Sequence, residues 1–244
     1  MLSLDEQNAW RARYAQEHPG WQPATNLYEA TIRRHLQPGM RILDLGCGRG
    51  GVLEQLGAAV TRPVGLDPDV RSLIEHRLPG LPRAAGLSSA LPLAARAFDL
   101  VVSSWVLEHV PDRGATFGEI ARVLKPGGAF IFVTPNAHNP LTVLSRALRP
   151  VQSLLVKRLY ERAEADTFPV AYRANTRRAI KRAAAASGLR VEALDYVPDP
   201  SYAAFTPLLY RVGRWLSEVS PVWMRVHLVG VCAKMGENQG QGYR

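Results

Sequence analysis

Six residues, Gly46-Cys47-Gly48-Arg49-Gly50-Gly51, follow the apolar run Arg41-Ile42-Leu43-Asp44-Leu45 and open a helical pattern. Glycines at such a junction let the backbone approach a ligand closely, and a helix start presents unpaired N–H groups. Asp67 closes the next apolar run, about where a carboxylate meets a ribose diol in doubly wound sheets. Read as Gly46, Gly48 and Gly51, the loop also satisfies the dinucleotide fingerprint, so alone it is weak, and a structural tight turn is its plain alternative. His109 is the candidate general base, because an unperturbed imidazole titrates near neutral pH. Its ordinary alternative is a helix residue packing or capping beside Pro111. Glu108, His109 and His138 invite a metal, but one carboxylate and two imidazoles are a poor donor set for a hard divalent cation. The expectation is no metal.

The elements that must position these residues alternate from residue 40 to about 135 as short apolar runs and helical patterns, which reads as repeated βαβ units. Strands are expected at 41–45, 63–67, 83–86, 98–103 and 129–134, with Pro126-Gly127-Gly128 as the turn before the fifth. Runs apolar on both faces suit a parallel sheet covered by helices. Thr176–Ser187 reads as a helix closed by Gly188, with Asn175 as its N-cap. Residues 189–197 and 225–233 read as two late strands. The expected organisation is one α/β domain over 1–244. It comprises an N-terminal helical arm (4–37), a core (38–135), a helical lid insertion (136–174), and a C-terminal part (175–244) with a second insertion (198–224).

Beyond the loop, Leu43-Asp44-Leu45-Gly46-Cys47-Gly48-Arg49-Gly50 resembles the first motif of class I S-adenosylmethionine-dependent methyltransferases. Ala90-Leu91-Pro92-Leu93, Phe98-Asp99-Leu100-Val101-Val102, Leu107-Glu108-His109-Val110 and Leu124-Lys125-Pro126-Gly127-Gly128 follow in that family's order and spacing. The five motifs span 41–135 and point to its small-molecule group. The resemblance implies a Rossmann-like seven-stranded doubly wound sheet with the last strand antiparallel, inserted beside the fifth. It implies S-adenosylmethionine as cofactor, with Asp44 ordering the loop and Gly46, Cys47, Gly48 and Gly50 around the methionine part. Asp67 would accept from both ribose hydroxyls. Leu66 and Pro68 would flank the adenine, and Ser104 would join the cofactor site. Where relatives often carry an acid for the adenine amino group this chain has Leu87, so Ser88 is the substitute. Some relatives carry Glu-x-x-Glu-His ahead of Val110, and Trp105 stands at the first glutamate position. His18, Trp21 and Tyr28 of the arm are candidates to cover the cofactor or simply to pack, and Tyr172 and Arg173 to line the acceptor pocket. Methyl transfer from a sulfonium is an in-line displacement, so alignment and desolvation dominate, and a base is needed only where the acceptor loses a proton.

Composition bounds the rest. The chain has 244 residues, 47% hydrophobic, with 30 basic and 21 acidic side chains and a net charge of +9. That suits one folded domain with a sizeable core. Between Asn136 and Arg182 ten basic residues face three acids, which places seven of the nine net charges there. They are Arg146, Arg149, Lys157, Arg158, Arg162, Arg173, Arg177, Arg178, Lys181 and Arg182. The apolar residues from Leu141 to Leu159 fall on one helical face that Pro150 should kink or divide. Tyr202, Phe205, Leu209, Val212, Leu216 and Val219 make a second face, with Thr206-Pro207 as its helix start. Three uses compete: a lid over the acceptor, an interfacial face meeting lipid or an anionic lipid-linked acceptor, and a phosphate-tracking surface for RNA. No RNA-binding signature supports the third. Cys47 and Cys232 make no metal or disulfide framework, and the acidic start is unlike a signal peptide. A cytoplasmic protein is expected, with peripheral contact at the inner face of a membrane under the lipid reading. The rival functions are an RNA methyltransferase and a non-catalytic cofactor-binding module, with a nicotinamide oxidoreductase more distant.

Overall fold

The structure, a computed structural model, describes residues 3–144 and 170–236. In chain order the helices are α1 (Leu4–Glu17), α2 (Ala24–His35), α3 (Val52–Leu56), α4 (Val70–Ile74), α5 (Arg113–Val123), α6 (Arg177–Ala186) and α7 (Pro207–Val219). The strands are β1 (Arg41–Leu45), β2 (Arg62–Asp67), β3 (Arg83–Ala85), β4 (Phe98–Ser104), β5 (Leu124–Pro135), β6 (Leu189–Val197) and β7 (His227–Lys234). They form one seven-stranded sheet in the order β3-β2-β1-β4-β5-β7-β6. Strands β1 to β5 pair in parallel, while β7 pairs antiparallel with both β5 and β6. This is the sheet that the five motifs implied.

Successive strand residues point to opposite faces, and both faces are covered. Leu43, Val101, Phe130 and Phe132 pack against α5 and α6 through Phe117, Ile120 and Ile180. Ile42, Leu100, Val102, Ile131 and Val133 pack against α2 and α3 through Tyr28, Ile32, Leu53 and Leu56. The second half of the expected arm, α2, is therefore part of the core layer. Helix α1 joins α7 and the short 3-10 turn Pro200–Ala203 in a satellite cluster of Trp10, Tyr14, Trp21, Ala204 and Tyr210.

Several expectations need correction. Strand β5 starts at Leu124 rather than 129: Phe98 faces Leu124 and Leu100 faces Ala129, so two steps on β4 match five on β5 and Pro126-Gly127-Gly128 bulges out within the strand. The last strand starts at His227, since Val222–Met224 forms a 3-10 turn just before it. Thr176 rather than Asn175 caps α6, its hydroxyl accepting from the Ala179 N–H, and Gly188 follows at φ +73°. Thr206 caps α7 with Pro207 at its first turn, as the sequence suggested. The apolar face of α7, however, is exposed rather than buried. Arg146, Arg149, Pro150, Lys157, Arg158, Arg162 and the apolar positions from Leu148 to Leu159 lie outside the described residues.

Candidate active site

The C-terminal ends of β1, β2 and β4 converge on a cleft in two halves that share Gly46, Ser104 and Trp105. This is where open α/β sheets bind ligands. One half, about 350 Å³, is lined by Leu66, Asp67, Pro68, Leu87, Ser88, His109, Val110 and Pro111 among others. The other, about 280 Å³, is lined by Tyr28, Asp44, Cys47, Gly50, Gly51 and Gln55 among others.

The glycine loop works differently from the simplest expectation. Four of its N–H groups are engaged within the protein: Gly46 and Cys47 donate to the Leu66 carbonyl, and Gly50 donates to that of Cys47. Gly48 donates to Asp67 Oδ2 at 2.9 Å. Gly46, Gly48 and Gly50 therefore make room rather than offer donors. Gly46 sits at φ +80°, and a Cβ there would run into the Val106 side chain, so only glycine fits. The loop is ordered by Asp67, and among the described residues no hydrogen bond reaches the Asp44 side chain.

Two carboxylates are sunk in this cleft: Asp44 is 3% exposed and Asp67 7%. Burial, and then the nearby Asp67 charge, push the Asp44 carboxyl up to about 7. Each Asp67 oxygen accepts one backbone N–H, from Gly48 and Asp69, which leaves lone pairs on both for a ligand. Burial also pushes the Cys47 thiol up to about 12, with the two aspartates reinforcing it, so it is no nucleophile. The Tyr28 hydroxyl is buried without a hydrogen-bond partner among the described residues, in the Asp44 half. Ser88 lines the other half with its hydroxyl 3.1 Å from that of Thr116. His18 and Trp21 are elsewhere: His18 pairs with Glu218 at 3.0 Å, and the Trp21 indole donates to the Pro198 carbonyl.

Trp105, at φ +58°, stands between the cleft and a second polar group. Its ring meets His227 edge-on at 4.9 Å. His227 Nε2 lies 3.1 Å from the Tyr202 hydroxyl, and burial holds this imidazole down at about 4. Nearby, Glu108 is 5% exposed, and its Oε2 accepts from the Thr134 hydroxyl at 3.0 Å. Thr134 in turn accepts from Asn175, whose buried amide holds β5 to the α6 entry instead of capping the helix. Burial pushes the Glu108 carboxyl up to about 7, above the opposing effect of its hydrogen bonds. The Glu108 carbonyl accepts the Ala171 and Tyr172 N–H groups, which fixes Tyr172 at φ +51° beside this cluster. Arg173 is exposed, with its carbonyl taking a bond from Arg113. Sequence reading weighed Glu108 only as a metal ligand and missed Tyr202 and His227. The histidine sits at a strand start with no motif around it. No group of three or more His, Cys, Asp or Glu able to hold a metal occurs among the described residues.

The closing antiparallel strand, the glycine turn after β1 and the acid ending β2 together define the class I methyltransferase architecture. Residues 43–132 match the family described as Methyltransferase domain. Over 114 residues the chain is 36% identical to a ubiquinone biosynthesis O-methyltransferase of Hahella chejuensis, covering 44% of this chain and 48% of that one. It is 38% identical over 101 residues to a demethylmenaquinone methyltransferase of a Mycobacterium species, covering 40% and 44%. The chain thus spans under half the length of these curated relatives. Among solved structures, geranyl diphosphate C-methyltransferase from Streptomyces coelicolor, in complex with S-adenosyl-L-homocysteine, superposes with a TM-score of 0.61 at 14% identity, over 86% of this chain and 80% of that one. An S-adenosylmethionine-dependent methyltransferase from Mesorhizobium loti gives 0.55 at 20%, over 86% and 100%. Residues 43–132 thus carry a methyltransferase domain, set in a sheet of the class I S-adenosylmethionine-dependent methyltransferase fold.

Proposed function

We propose that the protein moves a methyl group from S-adenosylmethionine to oxygen, nitrogen or carbon of a small, lipid-like acceptor. One observation carries the cofactor choice: the cleft holds two buried carboxylates, and no lysine or arginine lines either half among the described residues. Such a cleft favours a cation and disfavours the pyrophosphate of a nicotinamide dinucleotide. S-adenosylmethionine supplies an already activated methyl on a sulfonium. In this reading Asp67 holds the ribose, and Leu66 and Pro68 flank the adenine with Ser88 at its edge. Asp44, Gly46, Cys47, Gly48, Gly50 and Tyr28 surround the methionine part, and Ser104 stands where the halves meet. His109 takes a proton where the acceptor must lose one. The acceptor enters past Trp105, with Tyr172 as a wall and Arg173 at the rim. Two relatives are named for ubiquinone biosynthesis and for demethylmenaquinone, which supports a small, lipid-like acceptor.

The test is incubation with methyl-deuterated S-adenosylmethionine and a host-cell extract, followed by mass spectrometry for labelled methylated products. Products are expected in the presence of EDTA, because Trp105 occupies the position that metal-using relatives fill with glutamate. Cofactor binding without any labelled product would support a non-catalytic binding module instead. Loss with EDTA and rescue by magnesium would show that Glu108 and His109 hold a metal.

A further inference from the structure

Helix α7 faces the wrong way for a helix that packs on a protein core. Its inward residues are Tyr210, Gly213, Arg214 and Ser217. Tyr210 stacks on Trp10 of α1 at 4.6 Å, and its hydroxyl donates to Glu17. Outward lie Leu208 at 69% exposure, Trp215 at 58%, and Leu209, Val212, Leu216 and Val219, all exposed. At about 100° per residue these six fill an arc of about 120°. A contiguous exposed apolar strip of this kind marks an interaction surface.

The chain just beyond α7 joins this strip to a cationic one. Trp223, half exposed and edge-on to His138 at 5.8 Å, lies in a shallow hollow with Arg177, Arg178, Lys181 and Arg182 of α6. All four cations are exposed, and among the described residues none pairs with a carboxylate. A second copy of this chain, docked on the same face about a two-fold axis, would bring like charges together. Anionic headgroups would neutralise them, and tryptophan is favoured at the lipid–water boundary. An apolar face bordered by cations is the pattern of a helix lying in that boundary.

We propose that the apolar face of α7 and the cations of α6 together seat on an anionic lipid bilayer. The proposal rests on the surface alone and not on the methyl-transfer reading, so either can fail without the other. The test is co-sedimentation of the full chain with vesicles of phosphatidylcholine alone or mixed with phosphatidylglycerol. One variant is Leu208→Ser/Val212→Ser/Trp215→Ser, and another is Arg177→Gln/Arg178→Gln/Lys181→Gln/Arg182→Gln. All these side chains are exposed, so both variants should fold, with retained S-adenosylmethionine-induced thermal stabilisation as the check. The wild type is expected to bind the anionic vesicles at least about tenfold better than the neutral ones. The charge variant should fall to the neutral-vesicle level, and the apolar variant should lose binding to both. Trp emission should shift to the blue on binding in the wild type. The proposal is overturned if the wild type binds neither vesicle, or if the apolar variant binds as the wild type does. It is equally overturned if those substitutions abolish a dimer in sedimentation equilibrium while vesicle binding is absent.

Discussion

Asp44 and Glu108 are both buried acids pushed up to about 7, and they report on different things. Asp44 lines the cleft, so its proton competes with a cationic ligand. Affinity for S-adenosylmethionine is therefore expected to rise between about pH 6 and 8 as Asp44 ionises, and to stay flatter in Asp44→Asn; calorimetric titration across that range checks this. Glu108 lies behind Trp105 and reports on stability. A carboxyl whose folded value is raised keeps its proton after the unfolded chain has released its own. Stability from this group is then lost as pH rises from the unfolded value of about 4.5 to about 7, and no further above. Glu108→Gln retains an acceptor for Thr134 but cannot ionise. Its melting temperature relative to wild type should climb across that window, by an amount equivalent to about 3–4 kcal/mol at most. A pH-independent gap between the two proteins would remove the buried-acid account. Glu108 was visible in the sequence beside His109, but its burial was not, because that depends on Thr134 and Asn175, 26 and 67 positions away.

At the scale of elements, β7 is the feature on which the sheet's closing half depends. Gly230 sits opposite Phe132, and a Cβ there would overlap the tip of the phenyl ring at Cζ. Gly230→Ala should therefore destabilise the fold by about 1–3 kcal/mol in chemical denaturation, while affinity for the cofactor changes little in the folded fraction. An unaltered midpoint would mean that the β5–β7 contact is looser than described. Strands β1 and β6 were legible to the residue, since each is a run bounded by a turn signal. The start of β5 was not: Pro126-Gly127-Gly128 carries turn chemistry, and only pairing with β4 reveals that Leu124 already lies in the ladder. Likewise, the period of α7 disclosed an apolar face but not its direction. That direction is set by Tyr210 docking on Trp10, Arg13 and Glu17 some 200 positions earlier.

For the whole molecule, the order of glycine turn, Asp67 and the later motifs carried the architecture because the first two mark the ends of β1 and β2 and the rest follow in chain order along a sheet that winds one way. Which ligand that sheet holds follows from summed charge. A +9 protein places two buried carboxylates, and no cation among the described lining residues, around its cleft. Isothermal titration of the wild type and of Asp67→Ala with S-adenosylmethionine, S-adenosylhomocysteine and NAD tests this most directly. The expected result is saturable one-to-one binding of the sulfonium S-adenosylmethionine and of its thioether product S-adenosylhomocysteine and none of NAD, with the Asp67→Ala variant weaker by roughly 1.5–3 kcal/mol. Binding of NAD in preference, or an affinity for S-adenosylmethionine indifferent to Asp67, would contradict the account.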